Sequence, residues 1–170
     1  MLYRLEKGDE IEIVAPASYV EDETQFKQGL EILEKWGLKI NKCNILNRKY
    51  GYFSANDSKR LIELENGQNS KLVIFAKGGW GSARLLENEP KWKTSWMLGF
   101  SDTCSLLLSK YAKGHLGSIH GPMITTLPEE PSWSLQRLKN LLFEGYVDDI
   151  RGIPLRGGKA KGEIIVSNLT

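Results

Sequence analysis

The sequence predicts an α/β fold: a doubly wound, mostly parallel sheet, flavodoxin-like or similar, followed by the start of a smaller β-rich C-terminal domain. Short apolar runs alternate with amphipathic segments of helical period, which is typical of parallel strands joined by helices. After its first lysine, the run Lys71–Ala76 is apolar throughout, as in strands buried on both faces. Glycine- or serine-containing turns follow two runs, at the edge where such sheets bind ligands.

The first strand and helix are read from alternation and from helical spacing. Glu10–Ala15 alternates and then becomes apolar, and Pro16 ends it as a strand. Asp22 opens a helix that Gly37 ends. The apolar residues on one face of this helix are Phe26, Leu30, Leu33 and Trp36.

The next elements repeat this alternation. Leu38–Cys43 is predicted as a second strand, and Asn56 or Asp57 as the cap of a second helix. The third strand is Lys71–Ala76, already described. Trp96–Phe100 is the fourth strand, and the helix after it ends at Gly114.

The chain is predicted to divide into three parts. Residues 1–130 form an N-terminal α/β domain, and residues 131–152 form a helical linker whose helix begins at Ser132 or Ser134. Residues 153–170 are Gly-rich and strand-like, and we interpret them as the incomplete start of a β-rich C-terminal domain. That segment is too short to bury a core of its own.

Composition narrows the classes of function. The 23 basic and 21 acidic residues are scattered and give a net charge of +2, which does not favour nucleic acid as a partner. No apolar run reaches membrane length, and no N-terminal signal core is present. Cys43 and Cys104 form neither a metal spacing nor a disulfide framework, and only His115 and His120 could join them as ligands. We therefore expect a cytoplasmic protein with no metal, no membrane association and no nucleic-acid partner.

The candidate catalytic residue is Ser101, which follows the strand Trp96–Phe100 and precedes a helix. A serine on such a turn projects at the carboxyl end of a sheet, where backbone N–H groups and the helix dipole favour a developing oxyanion. The alternative is that Ser101 is a helix N-cap and Asp102 a first-turn residue, because serine commonly caps helices. The G-x-S-x-G pattern is not met, since Thr103 holds its last position.

A second candidate segment contains Gly78, Gly79 and Gly81 after a buried strand. Its bare N–H groups could cradle a phosphate or donate to an oxyanion, or the glycines could simply permit a tight turn. The spacing fits neither G-x-G-x-x-G nor a P-loop. Trp80 in this loop is predicted to pack on a ligand or a partner.

His120 follows a further short strand and is a possible supporting residue for Ser101. A lone histidine is more often structural than catalytic. Asp102 adjoins the serine and points elsewhere, so its useful group is the backbone N–H. No complete Ser–His–Asp set can be assembled from these residues.

Taken together, these motifs resemble the LD-carboxypeptidase family of serine peptidases, which includes murein tetrapeptide carboxypeptidases and microcin C self-immunity peptidases. Each motif is weak alone, but their combination and order are specific. The segments that support the resemblance are Lys7–Gly8–Asp9, Ile13–Val14–Ala15–Pro16, Phe26 with Gly29, Leu33 and Gly37, Arg60 with Leu64, Lys77–Gly78–Gly79–Trp80–Gly81, Arg84–Leu85–Leu86, Gly99–Phe100–Ser101–Asp102–Thr103, and His120–Gly121–Pro122–Met123.

The resemblance implies that Ser101 is the nucleophile and that the backbone N–H groups of Gly79 and Asp102 form the oxyanion hole. It implies no cofactor. Its substrates would be peptides with a free carboxyl terminus, cut between an L-residue and a terminal D-residue, or a related amide in a peptide–nucleotide antibiotic. Substrate contacts are expected from the glycine loop, at Gly78, Trp80 and Ser82.

Two departures from the family pattern matter. Lys77 stands where the family usually has arginine, which keeps the charge but loses bidentate geometry. The family's glutamate and histidine come from the C-terminal domain, so we expect this chain to be truncated before them and nearly inactive alone.

The apolar residues after Gly152 should then lack sheet neighbours. We therefore expect a homodimer or a complex with a complementary C-terminal fragment. The competing functions are a degenerate, non-enzymatic peptide-binding or scaffold domain and, more weakly, a nucleotide-binding domain that uses Gly78–Gly81.

Overall fold

The computed structural model describes residues 3–41, 44–150, 152–153 and 155–168. These residues form a five-stranded parallel sheet with helices on both faces. The strands are β1 (Glu10–Val14), β2 (Lys39–Ile40), β3 (Leu72–Phe75), β4 (Trp96–Gly99) and β5 (Ser118–His120). The helices are α1 (Glu23–Lys35), α2 (Asp57–Gly67), α3 (Cys104–Ala112) and α4 (Ser132–Lys139).

The strand order is β2-β1-β3-β4-β5, and every neighbouring pair is parallel. This is the flavodoxin-like order, in which the direction of winding reverses between β1 and β3. The predicted fold class is confirmed. The predicted strand Leu38–Cys43 is seen only as β2, and Cys43 lies outside the described residues.

Alternating side chains of β3 serve two cores, which explains why this strand is apolar throughout. Leu72 and Ile74 belong to the core that contains Phe26 and Leu33 of α1. Val73 and Phe75 face the opposite core, whose members include Leu64 of α2 and Leu106 and Leu107 of α3. Burial on both faces is what a parallel sheet between two helical layers requires.

Helix α1 begins and ends as its sequence indicates. The Asp22 side chain caps it by accepting a hydrogen bond from the Gln25 N–H at 3.0 Å, and Gly37 follows it with φ +90°. In α2 the cap is Asn56, which accepts from the Lys59 N–H at 2.9 Å. Each cap satisfies a donor that the first turn of a helix leaves open.

The C-terminal part differs from the strand-like prediction. Helix α4 begins at Ser132 and continues as a π-helical turn over Asn140–Glu144. Beyond it, the described residues contain no strand. The apolar residues there are largely exposed, including Ile153 at 90%, Leu155 at 100% and Ile164 at 87%. A β-rich C-terminal domain therefore remains a prediction.

None of the helices formed by the described residues has the length and apolar character needed to span a membrane.

Lys110 on α3 is fully buried, and its Nζ donates to the Ser95 carbonyl. Burial lowers the pKa of this ammonium from 10.5 to about 8, because the charged form loses water. The folded protein therefore releases this proton at a lower pH than the unfolded chain does. Below pH 8 both states bind it, whereas between pH 8 and 10.5 the unfolded state binds more protons.

We predict that the stability of the protein relative to a Lys110→Met variant rises with pH above 8. The gain should reach about 3 kcal/mol by pH 10.5, at 1.36 kcal/mol per pKa unit. Urea unfolding of both proteins at pH 7, 8, 9 and 10 measures this difference. Parallel pH profiles for the two proteins would contradict the prediction.

Candidate functional site

The predicted site residues come together at the carboxyl edge of the sheet. The segment after β1, the glycine loop Lys77–Ser82 after β3 and the turn at Ser101 after β4 meet there. The Ala76 N–H donates to the Val14 carbonyl at 2.8 Å, and the Ser18 N–H donates to the Gly78 carbonyl at 3.2 Å. These contacts lie at the switch point of the sheet, where open α/β proteins place their ligands.

Ser101 has a left-handed backbone, with φ +61°. Phe100 before it is extended, and a 3₁₀ turn over Ser101–Thr103 leads directly into α3. The Thr103 hydroxyl donates to the Phe100 carbonyl at 2.8 Å and thereby closes the turn. A β-carbon at this φ costs energy, so the chain must hold the serine in place through its surroundings.

The N-cap interpretation of Ser101 is wrong. The N-cap residue of the 3₁₀ turn is Phe100 and that of α3 is Thr103, and neither element has a hydrogen bond from a capping side chain. A capping serine would adopt extended backbone angles, whereas Ser101 is left-handed. The strained strand-to-helix turn is instead the geometry that exposes a nucleophile.

Gly78 packs directly against Ser101. A β-carbon on Gly78 would lie 3.1 Å from the Ser101 Cβ, 3.3 Å from its Oγ and 3.3 Å from the Met123 Cε. The missing side chain therefore brings the backbone of the glycine loop up to the hydroxyl. Such close approach of backbone to a reacting group is a main use of glycine.

Within the described part of the chain, the backbone N–H groups of Gly79 and Asp102 donate no hydrogen bond to another protein group. Gly79 has φ +106°, and Asp102 lies in the first turn that leads into α3. Free donors at such positions can bind an anionic oxygen.

Ser82 joins the glycine loop to the serine turn. Its N–H donates to the Asp102 carboxylate at 2.8 Å, and its hydroxyl contacts the Asp102 carbonyl at 2.6 Å and the Ser105 hydroxyl at 2.9 Å. The Ser82 side chain is fully buried. Ser82 therefore joins the glycine loop to the serine turn. Because it has no exposed surface, it cannot make the substrate contact predicted from the sequence.

Trp80 projects from the same loop and is 60% exposed. Its ring stacks on Phe53, with centroids 5.5 Å apart and 21° between the planes. Two guanidinium groups also lie near the Phe53 ring, with Arg60 4.4 Å and Arg84 5.7 Å from its centroid. One face of the Trp80 indole ring therefore packs on Phe53, while most of the side chain remains exposed to solvent.

His120 ends β5, is exposed, and packs edge-on against Phe100 at 6.2 Å. Within the described residues it makes no hydrogen bond to Ser101. Lys77 has its Nζ 3.0 Å from the Glu21 carboxylate, so its charge is already paired at the rim of the site. The structure therefore places Gly78, in the loop that continues with Gly79, and the neighbouring Asp102 beside Ser101. The His120 ring instead contacts that of Phe100.

Arg60 was not predicted to support the site. Its guanidinium is fully buried and donates to the carbonyls of Pro16 and Gly81, the second at 3.0 Å, and to the Asp57 carboxylate at 2.5 Å. The sequence does contain a signal, because Arg60 stands one helical turn before the buried Leu64 on the inner face of α2. A charge on an apolar face indicates a buried partner.

The Asp57 carboxylate is shared between Arg60 and Arg84, with Arg84 Nη2 at 2.7 Å. The hydrogen bond from Arg84, followed by that from Arg60, lowers the pKa of Asp57 against a desolvation effect that raises it. A lowered pKa stabilises the fold at neutral pH, and this stabilisation is lost as the pH falls through the folded-state pKa.

A family model described as the LD-carboxypeptidase N-terminal domain matches residues 11–121. A putative carboxypeptidase of Synechocystis sp. is 32% identical over 176 aligned residues, which cover 98% of this chain and 57% of the relative. The murein tetrapeptide carboxypeptidase of Pseudomonas aeruginosa is 27% identical over 184 aligned residues, which cover 94% of this chain and 58% of the relative. The chain thus spans less than two thirds of the length of either relative.

Solved structures share the fold. The structure of MccF in complex with glutamyl sulfamoyl guanosine has a TM-score of 0.74 at 22% identity. The alignment covers 82% of this chain and 46% of the MccF chain. Muramoyltetrapeptide carboxypeptidase from Oxalobacter formigenes has a TM-score of 0.63 at 23% identity. This alignment covers 76% of this chain and 47% of the carboxypeptidase chain.

We predict that Arg60→Met destabilises the protein by about 3 kcal/mol, because two loop carbonyls lose their buried donor and Asp57 loses one partner. The matched control is Arg84→Met, which removes the exposed partner of the same carboxylate and should cost less than about 1 kcal/mol. Guanidinium unfolding of the three proteins at pH 7 measures both. Equal losses for the two variants would contradict the buried bridge.

The left-handed backbone of Ser101 leads to a second prediction. Ser101→Gly should be more stable than Ser101→Ala by about 1 kcal/mol, since only glycine adopts positive φ without a steric cost. At Ser109, in the middle of α3, the order should reverse, because glycine weakens a helix. Thermal unfolding of the four variants gives both differences, and the same order at both positions would refute the assigned backbone.

Proposed function

Because this chain belongs to the LD-carboxypeptidase family, we propose that the whole protein is a serine-type carboxypeptidase that hydrolyses an amide bond near a free carboxyl terminus. The bond joins an L-residue to a D-alanine in a murein peptide, or is a related amide in a peptide–nucleotide antibiotic. The name of the Pseudomonas aeruginosa relative supports the first substrate, and the ligand solved with MccF supports the second.

The observation that carries the proposal is the environment of Ser101. Its left-handed turn is strained, and Gly78 has no side chain where one would press on the hydroxyl. A capping serine requires neither feature, since it adopts extended backbone angles. Both features suit a nucleophile, because its oxygen must be exposed and backbone donors must lie close to the carbonyl it attacks.

In the proposed reaction the Ser101 Oγ attacks the carbonyl carbon of the scissile amide, and a general base takes the hydroxyl proton. The negative charge that develops on the carbonyl oxygen is stabilised by the N–H groups of Gly79 and Asp102. The general acid returns the proton to the leaving amine, and water then hydrolyses the acyl-enzyme. We assign Trp80 and Gly78 to substrate contact and Ser82 to positioning, and the chemistry needs no cofactor.

The base is expected, from the family resemblance, in a C-terminal domain as a histidine with a glutamate. Within the described residues no side chain accepts a hydrogen bond from the Ser101 hydroxyl. This observation also favours the second candidate function, a non-catalytic domain that binds peptides at the same edge. His120 is the alternative base within this chain, and its ring packs against that of Phe100, the residue before Ser101.

We also propose a cytoplasmic protein that forms a homodimer or binds a complementary C-terminal fragment. The support for association is the exposure of Ile153, Leu155 and Ile164, which would be costly on an isolated surface. The support for the compartment is the free, buried Cys104, together with a cysteine pattern that gives no disulfide framework.

The test is labelling and turnover by the full-length gene product and by the 170-residue chain. We expect a fluorophosphonate adduct on Ser101 and cleavage of an L,D-tetrapeptide by the full-length protein, both lost in Ser101→Ala. The 170-residue chain should be slower by roughly three orders of magnitude or more, as for loss of a triad member. Ser58→Ala, at an exposed serine of α2, is the matched control.

Peptide binding by the full-length protein without an adduct or turnover would support the non-catalytic domain. Turnover by the 170-residue chain at the full-length rate would identify a base among its own residues, and His120→Ala would then test that histidine. Nucleotide binding at Gly78–Gly81, measured by calorimetry, would favour the remaining alternative, a nucleotide-binding domain.

A further inference from the structure

Ser18 lies in the segment after β1, opposite the glycine loop, and nothing in its local sequence distinguishes it. Its N–H donates to the Gly78 carbonyl at 3.2 Å, and its hydroxyl oxygen accepts from the Trp80 N–H at 3.1 Å. The two hydrogen bonds therefore fall on either side of Gly79. We propose that Ser18 is a positioning residue that holds the Gly79 N–H in the orientation needed for the oxyanion hole, an inference that rests on the proposed function.

The first step of the argument is the geometry of one peptide unit. The Gly78 carbonyl and the Gly79 N–H belong to the same planar group, and in a trans peptide they point in opposite directions. No cis peptide bond occurs among the described residues. Since Ser18 binds the carbonyl, the N–H of Gly79 must point away from the β1 segment, into the site.

The second step is the flexibility of the loop. Gly78 and Gly79 are adjacent glycines, and a peptide between glycines can rotate at little cost. A rotated peptide would turn the Gly79 N–H away from the site. The carbonyl bond from the Ser18 N–H opposes that rotation, and the bond from the Trp80 N–H to the Ser18 hydroxyl fixes the next peptide unit.

The third step is the fit between Ser18 and Gly79. A β-carbon on Gly79 would lie 2.2 Å from the Ser18 Oγ and 2.7 Å from its Cβ. The serine thus occupies the space that a side chain at Gly79 would need. Gly79 also has φ +106°, so both the conformation and the contact require glycine there.

The two segments are also joined at a second place, where Arg60 binds the carbonyls of Pro16 and Gly81. Pro16 lies two residues before Ser18, and Gly81 lies one residue after Trp80. Ser18→Ala keeps the backbone bond to the Gly78 carbonyl and loses only the bond from the Trp80 N–H to the Ser18 hydroxyl. It should therefore loosen the peptide unit between Gly79 and Trp80 without separating the segments, and the variant should still fold.

Amide hydrogen exchange followed by NMR tests the positioning role on the 170-residue chain and requires no catalysis. In Ser18→Ala we expect the Trp80 amide to exchange at least tenfold faster, because its acceptor is gone. Ser18→Thr, which keeps the hydroxyl, should restore protection, and Ser58→Ala should leave it unchanged. Unchanged Trp80 exchange in Ser18→Ala would overturn the proposal.

Kinetics of the full-length gene product on an L,D-tetrapeptide test the consequence for the reaction. Ser18→Ala should lower kcat roughly tenfold with KM within twofold, a fraction of the effect of losing an oxyanion donor. Ser18→Thr should recover most of the rate. A rise in KM at constant kcat would identify a substrate-binding residue and overturn the positioning role.

The two proposals fail in different ways. If the unaltered full-length protein neither cleaves the peptide nor reacts with a fluorophosphonate, the proposed function is wrong, and with it the oxyanion role of Gly79. The exchange rates still show whether Ser18 holds the loop. If the protein is active and Ser18→Ala matches it in kcat, only the inference about Ser18 is wrong.

Discussion

The buried guanidinium of Arg60 is the interaction on which the site depends. It reaches from α2 to the segment after β1, through the Pro16 carbonyl, and to the glycine loop, through the Gly81 carbonyl. Its charge is balanced by Asp57, which also binds the exposed Arg84. A buried charge is retained only where such partners surround it. The same partners join these two loops, and the glycine loop in turn packs against the candidate nucleophile through Gly78.

The parallel sheet explains why these loops meet. Strands β1, β3 and β4 are neighbours with a common direction, so their carboxyl ends share one edge. Winding reverses between β1 and β3, because α1 follows β1 on one face of the sheet and the 3₁₀ helix Ala83–Asn88 follows β3 on the other. Open α/β sheets bind their ligands beside such a reversal, outside the carboxyl ends of the strands. The fold thus supplies the place, while the loops supply the chemistry.

Local strain and close packing are concentrated at this edge of the sheet. Ser101 holds a left-handed conformation, and the contacts of Gly78 and Gly79 leave no room for side chains. Each feature costs stability or conformational entropy, and each brings a polar group to one point. The hydrogen bonds from Ser82 to Asp102, together with those at Ser18, hold these groups in a fixed arrangement. Fixed donors are what stabilisation of a developing charge requires.

The sequence alone determined the order of strands and helices, the two-sided burial of Leu72–Phe75 and the turn that contains Ser101, because these follow from periodicity and residue type over a few positions. It did not determine the backbone of Ser101, the burial of Ser82, or the support given by Ser18, which contacts Trp80 from 62 residues away. Strand-forming residues near the C-terminus likewise formed no strand among the described residues, since a strand needs a neighbour. Contacts between distant segments exist only once the chain has folded, so only the tertiary structure decided them.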